Sequence, residues 1–253
     1  MIKLFKRIEY RRNRVYRVIS HFTNGSFMVG SGFFIRGNQF LTCFHVVFGS
    51  EFGPIRQNQL FAQTQGSDDH EKLENYYKSL GTRIEIELHD GLRIIATIKM
   101  FDHKYDAVVL EINAPDVNKI IVSKLDYSAN FRYGDSLSSC GFPYAVGYSV
   151  DHYPFAVHSG EVSGFMDVTV GGEKYEHTQI DSISLGGISG SPVFRNYGRE
   201  VVGIINGNMI WGRNDLILQT PNGQQTGALN VPLGISYMTP MRLLKEKTQL
   251  FSI

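Results

Sequence analysis

Short runs in which apolar and polar residues alternate recur along this chain, and such runs predict β-strands with one buried face. Residues 83–88 and 92–100 are two of them, and Asp90-Gly91 between them is typical of a tight hairpin turn. The other strand-like runs are residues 26–35 (which fit a pair of short strands), 39–43, 107–112, 136–140, 160–170, 175–180, 192–194 and 200–205. The pattern therefore predicts an all-β body.

Helical patterns are confined to two segments. Residues 68–79 predict a short surface helix inside a long insertion loop that covers residues 51–82. Near the C-terminus, Thr239 is expected to cap a helix whose first position is Pro240. The apolar face of this helix would consist of Met241, Leu243, Leu244 and Leu250. We therefore expect one C-terminal helix to close the all-β body.

Composition and charge exclude several classes of function. Of the 253 residues, 42% are hydrophobic, which is enough for a sizeable core. Lys and Arg number 25 against 24 Asp and Glu, so the net charge of +1 does not favour a strongly charged surface for nucleic acid or membranes. The longest unbroken apolar run, residues 107–110, is far shorter than the roughly 20 residues of a membrane-spanning helix.

The N-terminal segment is strongly basic, with seven Lys or Arg and one Glu in its first 17 residues. We interpret it as a solvated or docking segment rather than a nucleic-acid arm, so nucleic acid is not an expected partner. The segment lacks the apolar stretch of a secretory signal. The two cysteines, Cys43 and Cys140, fit buried thiols in a reducing compartment. If the sequence is full-length rather than a processed form, we expect a cytoplasmic protein.

Three segments carry residue types that can act together in catalysis. His45 follows the apolar run Phe40-Leu-Thr-Cys-Phe, and Asp106 opens a second apolar run. Gly186, Gly187 and Gly190 surround Ser189, which suggests a backbone bent so that its amides point one way. Taken singly, such a histidine is more often structural and such an aspartate more often begins a strand. Their significance lies in the combination.

A serine is a weak nucleophile at neutral pH, so a histidine must accept its proton and a carboxylate must fix the histidine tautomer. The oxyanion formed by the attack needs two converging N–H donors, and the backbone amides of Gly187 and Ser189 are placed to supply them. All eight histidines precede Ser189, which excludes the α/β-hydrolase order, and no aspartate precedes His45, which excludes the subtilisin order. The order His45, Asp106, Ser189 is that of chymotrypsin.

On these motifs the chain resembles the trypsin-like (chymotrypsin-fold) serine peptidases, and within them the bacterial branch of glutamyl endopeptidases and HtrA proteases. Leu41-Thr-Cys-Phe-His45 matches the family's histidine motif. Asp106-Ala-Val-Val-Leu-Glu-Ile matches the aspartate motif, and Gly187-Ile-Ser189-Gly-Ser-Pro-Val-Phe matches the serine motif. The likeness runs from about Gly30 to the C-terminal helix.

The resemblance implies two six-stranded antiparallel β-barrels packed at right angles, with a C-terminal α-helix and the catalytic residues in the cleft between the barrels. His45 and Asp106 would come from the first barrel and Ser189 from the second. The expected division is a basic N-terminal segment (1–25), a first barrel (26–118) and a second barrel with the C-terminal helix (119–253), together one peptidase domain.

The resemblance also implies how substrate would bind. The strand at residues 202–208 would line the cleft and pair with the substrate backbone as an added strand. Where trypsin has its pocket aspartate this chain has Ile183, and where the glutamyl endopeptidases have a pocket histidine it has Ile205. Neither a basic nor an acidic preference is therefore supported. The expected substrate-binding residues are Ile183, Ser184, Ile205, Asn206 and Gly207, which suggest a small or apolar pocket.

Other residues compete for these roles. Asp102 lies four residues before Asp106 and is an alternative carboxylate, although Asp106 is preferred because it opens the apolar strand. Cys140 is an alternative nucleophile, but it lacks a preceding glycine. Three further histidines have spacings that fit no metal-binding motif, so we expect neither a metal nor a cofactor. They are His152, His158 and His177.

We therefore expect a serine endopeptidase that acts on protein or peptide substrates through an acyl-enzyme on Ser189. A protease without a secretion signal needs restraint, so we also expect regulation by a protein partner, by oligomerisation or by an incompletely formed oxyanion hole. The alternative is a catalytically silent pseudoprotease that holds a peptide in its cleft. An intact set of three catalytic residues favours the enzyme.

Overall fold

The computed structural model describes residues 2–23, 25–49, 83–113, 120–143, 155–170, 173–183, 185–196, 198–220 and 223–251. The insertion loop expected over residues 51–82, with its surface helix over 68–79, lies outside the described residues. In the described part of the chain, all twelve strands belong to two closed barrels, which are joined by residues 113–135.

The first barrel closes in the order β1-β2-β3-β6-β5-β4, because β4 pairs with β1 as well as with β5. A helix precedes its first strand, and a one-turn helix follows its third strand. The elements are α1 (Ile2–Arg12), β1 (Tyr16–His21), β2 (Phe27–Arg36), β3 (Gln39–Thr42), α2 (Phe44–Phe48), β4 (Arg83–Glu87), β5 (Arg93–Asp102) and β6 (Ala107–Ile112).

The second barrel closes in the order β10-β11-β12-β9-β8-β7, because β10 also pairs with β7. Its elements are β7 (Ser136–Gly141), β8 (Ala156–Val170), β9 (Glu173–Ile180), β10 (Pro192–Arg195), β11 (Val201–Thr220), β12 (Gly223–Pro240) and the C-terminal helix α3 (Met241–Lys247). All neighbouring strands of both barrels run antiparallel. The predicted fold of two six-stranded antiparallel barrels with a C-terminal helix is thus confirmed.

The first barrel begins earlier in the chain than the sequence indicated. Strand β1 lies inside the segment 1–25 that was expected to precede the barrel, and α1 occupies the start of that segment. The first five residues of β1 are all buried, including Arg17, which pairs with Glu87. Because both faces of β1 are covered, the strand lacks the exposed polar positions from which alternation is recognised.

Residues 26–35 were expected as a pair of short strands, but residues 27–35 belong to the single strand β2. Neither Gly30, around which the two strands were expected, nor Gly32 breaks the strand. A side-chain carbon at Gly32 would lie 2.3 Å from the ring of Phe40 on β3, so glycine is required for the close packing of these strands. Tyr16, Phe34 and Phe40 pack edge to face beside it in the core of this barrel.

The N-terminal helix α1 is attached to the second barrel through Arg11, although it precedes the first. The Arg11 guanidinium is buried and donates to Ser138 Oγ on β7 at 2.6 Å. It also donates to the carbonyl oxygens of Arg195, Asn196 and Gly198, and it lies over the ring of Phe194. A charged group with this many partners offsets the cost of its burial, so α1 links the two barrels.

The C-terminal helix begins one residue later than expected. Pro240 is its N-cap and no side chain caps it, so the prediction that Thr239 caps this helix is wrong. The Thr239 hydroxyl instead bonds to groups near the catalytic residues, as described below. Met241, Leu243 and Leu244 form the expected buried face of the helix. Leu250 is also buried, but it lies beyond the end of the helix at Lys247, so its expected place on the helix is wrong. None of the helices in the described residues has the length and apolarity that a membrane crossing requires.

Candidate active site

The three predicted catalytic residues come from different elements at the junction of the barrels. His45 lies on α2 rather than at the end of a strand, because β3 stops at Thr42. Asp106 immediately precedes β6, and Ser189 lies between β9 and β10. A hydrogen bond from the Ser31 N–H on β2 to the Ser189 carbonyl oxygen (2.9 Å) fixes the serine segment against the first barrel.

His45 and Asp106 form a closely held pair. His45 Nδ1 lies 2.8 Å from Asp106 Oδ2, and the backbone N–H of His45 donates to Oδ1 at 2.9 Å. The Phe44 N–H also donates to the Asp106 carbonyl oxygen at 3.2 Å. Asp106 has a φ of 51°, in the left-handed region that is unfavourable for residues other than glycine. This turn directs the carboxylate back toward His45, and the hydrogen bonds offset its strain.

The electrostatics of the pair fit a general base. Burial by itself lowers the pKa of His45, but the charge of Asp106 and its hydrogen bond outweigh burial, so the pKa of His45 is raised above 6.5. Burial opposes ionisation of Asp106, yet His45 and Asn206 hold the pKa of its carboxyl below the usual 3.8. Asp106 is therefore ionised at neutral pH, and it holds His45 with a proton on Nδ1 and leaves Nε2 free to accept one.

The Ser189 hydroxyl donates to the carbonyl oxygen of Asn206 at 3.3 Å. Among the described residues no hydrogen bond joins Ser189 to His45. Catalytic hydrogen bonds are often unformed before substrate binds. Proton transfer from Ser189 to His45 therefore requires the hydroxyl to turn away from the Asn206 carbonyl.

The backbone around Ser189 leaves free the two N–H groups predicted for the oxyanion hole. The intervening N–H of Ile188 donates to Leu185 O, and the N–H of Gly190 donates to Ile205 O. In the described part of the chain, no acceptor takes the N–H of Gly187 or of Ser189. Gly187 and Gly190 have φ values of 94° and 84°, which explains why glycine occupies both positions. Two unpaired donors beside a nucleophile are what a developing oxyanion requires.

Ser31 holds residues 187–190, which carry the N–H groups predicted for the oxyanion hole and are called the oxyanion segment below. Its buried hydroxyl donates to the Gly187 carbonyl oxygen at 2.9 Å and accepts from the Phe142 N–H at 2.9 Å. A side-chain carbon at Gly190 would lie 2.1 Å from the Ser31 carbonyl oxygen, so the two segments are in backbone contact. Ile188 is buried in the apolar core of the second barrel and anchors the same segment. No feature of the sequence pattern identified Ser31 as part of the site.

The residues expected to bind substrate have different surroundings. The Ile183 side chain is 53% exposed, Ile205 and Asn206 are buried, and Ser184 lies outside the described residues. A side-chain carbon at Gly207 would lie 2.9 Å from the Tyr237 hydroxyl. Asn206 differs most from the expectation, because its amide contacts Asp106 instead of lining a pocket.

The side-chain amide of Asn206 supports the turn at Asp106 by hydrogen bonds. Its Nδ2 lies 3.3 Å from Asp106 Oδ2, 3.4 Å from the Asp106 carbonyl oxygen and 3.3 Å from the Tyr105 carbonyl oxygen. Three acceptors therefore surround one NH₂ group. The amide oxygen of Asn206 accepts from Thr239 Oγ1 at 2.9 Å. Neither contact of Asn206 could be predicted from the sequence, because both cross from one barrel strand to residues remote in the chain.

The competing residues have other roles. Asp102 accepts from the Tyr105 N–H at 2.9 Å, and in the described residues it makes no bond to His45. Cys140 is buried, which raises the pKa of its thiol to about 12, so it is not a reactive thiolate. His152 lies outside the described residues. His158 and His177 are on neighbouring strands β8 and β9, and burial lowers the pKa of both.

Cys43, His45 and Asp106 are the one group in the described residues with ligand atoms close enough to suggest a metal site. The thiol of Cys43, however, donates to the Ile205 carbonyl oxygen at 3.1 Å, and burial raises its pKa well above 9. Both Asp106 oxygens are engaged by His45. The Cys43 thiol, His45 Nδ1 and both Asp106 oxygens are therefore used by hydrogen bonds, and the geometry fits a proton-transfer pair better than a cation.

Comparisons with known proteins agree with this geometry. Residues 30–204, more than half of the chain, match the trypsin-like peptidase domain. The serine protease HTRA4 of Mus musculus and the serine protease HTRA1A of Danio rerio are each 30% identical to this chain over 122 residues. That segment is 48% of this chain but only 24% of each relative, so the chain matches about a quarter of their length.

A solved structure titled "HtrA-type protease AlgW with tripeptide" has the same fold, with a TM-score of 0.62 and 19% sequence identity. The superposition covers 98% of this chain and 64% of that one. The two barrels, the placement of the three predicted catalytic residues and the match over residues 30–204 lead to one conclusion. This chain belongs to the trypsin-like peptidase domain family.

Proposed function

We propose that this protein is a serine endopeptidase in which Ser189 is the nucleophile, His45 the general base and Asp106 the residue that orients His45. The observation that carries the proposal is the 2.8 Å contact between His45 Nδ1 and Asp106 Oδ2, with both Asp106 oxygens directed at His45. Such a contact fixes the imidazole tautomer that a serine nucleophile needs. The free N–H groups of Gly187 and Ser189 support the same function.

The reaction follows from these positions. Ser189 Oγ attacks the substrate carbonyl carbon while its proton passes to His45 Nε2, and the N–H groups of Gly187 and Ser189 stabilise the oxyanion. The carbon–nitrogen bond then breaks as Nε2 returns the proton to the leaving amine, which leaves an ester on Ser189. Water attacks this ester with His45 again as base, and the acid product and free Ser189 are released.

The proposed substrate is a peptide segment in extended conformation. The tripeptide named with the related structure supports this class of substrate. The backbone of β11 beyond Asn206 is the expected partner of the substrate strand, because Asn206 O already lies beside the nucleophile. A partly extended protein chain would therefore be cleaved in preference to a folded one.

The proposal also includes regulation in the cytoplasm by a protein partner. The direction of the Ser189 hydroxyl toward Asn206 O supports a resting state of low basal activity, which substrate or a partner raises. The two cysteines are both free and buried, which suits a reducing compartment. Full activity of the isolated protein on generic substrates would contradict this regulation without affecting the proposed chemistry.

The test is cleavage of an unfolded protein substrate by the purified protein and by the Ser189→Ala variant. We expect fragments from the wild-type protein, and a loss of at least about 10³-fold in the variant. The two proteins should unfold at similar denaturant concentrations, because the variant removes one hydroxyl. Binding of the substrate without cleavage by either protein would refute the enzyme and favour the peptide-binding alternative.

A further inference from the structure

A buried chain of hydrogen bonds continues from the catalytic carboxylate into the second barrel. Asn206 Nδ2 donates toward Asp106 Oδ2 (3.3 Å), and Thr239 Oγ1 lies 2.9 Å from Asn206 Oδ1. His177 Nδ1 lies 3.2 Å from the same Thr239 oxygen. Asn206, Thr239 and His177 are all at most 3% exposed. Bulk water therefore does not compete for the hydrogen bonds between these groups.

The direction of the hydrogen-bond chain depends on the positions of two protons, the hydroxyl hydrogen of Thr239 and the ring proton of His177. Thr239 Oγ1 has one hydrogen and two carbonyl-type acceptors within reach, Asn206 Oδ1 at 2.9 Å and the Tyr105 carbonyl oxygen at 3.2 Å. The ring proton of His177 has two partners within reach, the Thr239 oxygen at 3.2 Å from Nδ1 and the backbone of Met238. With the proton on Nδ1, His177 donates to the Thr239 oxygen, which leaves the Thr239 hydrogen for Asn206. Burial lowers the pKa of His177, so its ring is neutral at pH 7 and carries a single proton.

These hydrogen bonds determine the orientation of the Asn206 side-chain amide. Its two ends have similar shapes, but the side toward Asp106 presents the carboxylate and the carbonyl oxygens of Tyr105 and Asp106, which can only accept. The Cys43 sulfur at 3.9 Å also acts as an acceptor there, because its hydrogen goes to the Ile205 carbonyl oxygen. A reversed amide would place its oxygen against these acceptors. A hydroxyl that donates to the opposite end holds the amide in the favourable orientation.

We propose that Thr239 and His177 are positioning residues for the triad, which hold the Asn206 amide with its NH₂ group on Asp106. This inference rests on the proposed function, since it assigns residues that act through Asp106 on His45. In the described residues neither Thr239 nor His177 makes a hydrogen bond to Ser189. Their effect reaches catalysis only through the carboxylate that orients His45.

The first test is the Thr239→Val variant, which keeps the side-chain shape and removes the hydroxyl. We expect kcat to fall about five- to tenfold with KM unchanged, the size expected for weakening one hydrogen bond to a charged group. Thr239→Ser should restore kcat to near the wild-type value. Thr178→Val is the matched control, because Thr178 is also fully buried but its hydroxyl has no partner in the described residues.

The direction of the His45 titration separates this role from a loss of structure. Without the amide dipole on Oδ2, the Asp106 carboxylate attracts the imidazolium more strongly, so the pKa of His45 should rise in Thr239→Val. General loosening that moved Asp106 away would lower it instead. His177→Phe, which keeps a ring and removes the donor, should raise the pKa of His45 in the same direction by a smaller amount.

We would follow His45 by nitrogen-15 NMR titration of the whole protein as well as by the pH dependence of kcat/KM. A pKa of His45 in Thr239→Val that is unchanged or lowered would overturn the inference, as would a Thr239→Ser variant that behaves like Thr239→Val. The NMR titration needs no turnover. Absence of cleavage by the wild-type protein would therefore refute the proposed function, while the support of Asp106 would still be decided by the NMR result.

Discussion

Replacement of Asp106 by asparagine probes the triad directly, because the carboxylate faces two donors of the same residue. Oδ1 accepts from the His45 backbone N–H at 2.9 Å and Oδ2 lies 2.8 Å from His45 Nδ1. Asparagine has one acceptor and one donor end. If its oxygen keeps the backbone N–H, its NH₂ group faces Nδ1, which must then lose its proton. The His45 proton moves to Nε2, and the base that Ser189 needs is lost.

The magnitude follows from this tautomer change. We expect kcat of Asp106→Asn to fall on the order of 10⁴-fold, equivalent to about 5 kcal/mol of barrier at about 1.36 kcal/mol per factor of ten. KM should change little, because Asp106 supports His45 and does not contact the peptide. The matched control is Asp102→Asn, whose amide oxygen can still accept from the Tyr105 N–H. That variant should keep nearly full activity.

The pH dependence gives a second reading of the same change. In the wild-type protein the neutral form of His45 is the base, so kcat/KM should rise with pH through a pKa above 6.5. In Asp106→Asn burial still lowers the pKa of His45 but the attraction of the carboxylate is gone, so this limb should move to lower pH. The reasoning would be refuted if Asp106→Asn kept more than about a tenth of the wild-type kcat, or if Asp102→Asn lost as much.

Three further predictions concern the framework of the site. Arg11→Met should lower the free energy of unfolding by about 2–4 kcal/mol in urea titrations, because Ser138 and three carbonyl groups lose a buried charged donor. The control Lys6→Met, at an exposed position of α1, should change the free energy of unfolding by no more than about 0.5 kcal/mol. Equal effects of the two substitutions would contradict the docking of α1. Gly190→Ala should destabilise by more than about 3 kcal/mol, whereas Gly91→Ala, with a similar φ and open space around it, should cost about 1 kcal/mol. Ser31→Ala should lower the free energy of unfolding by about 1–3 kcal/mol and slow acylation of Ser189, since the Gly187 carbonyl loses its donor; unchanged acylation would show that Ser31 does not hold the oxyanion segment.

Much of the fold is encoded in local pattern, and the exceptions have physical causes. Strands such as β4 and β5 alternate and are joined by a turn sequence, so they are recognisable in isolation. Strand β1 is not, because both of its faces are buried in a closed barrel. In strand β12, glycine, proline and polar residues interrupt the apolar sequence pattern, and the pairing of β12 with β11 contains several register shifts. Its place in the barrel is defined only by its neighbours.

The proposed catalytic residues could be selected from the sequence because each lies in a short motif and their order along the chain is distinctive. The groups that support them were not. Thr239 has the sequence context of a helix cap, yet its register opposite Ile204 on β11 directs its hydroxyl to Asn206. Asn206 lies 100 residues from Asp106 in the chain, so no local pattern reveals their contact. Which polar side chains meet depends on barrel register.

Reactivity of Ser189 toward a fluorophosphonate, located by mass spectrometry, tests the central claim most directly. The account predicts one covalent adduct, on Ser189, that is absent from Ser189→Ala and forms far more slowly in Asp106→Asn. It also predicts wild-type labelling in Asp102→Asn. An adduct on another residue, labelling of Ser189→Ala equal to that of the wild type, or no labelling of the folded wild-type protein would contradict a triad of Ser189, His45 and Asp106.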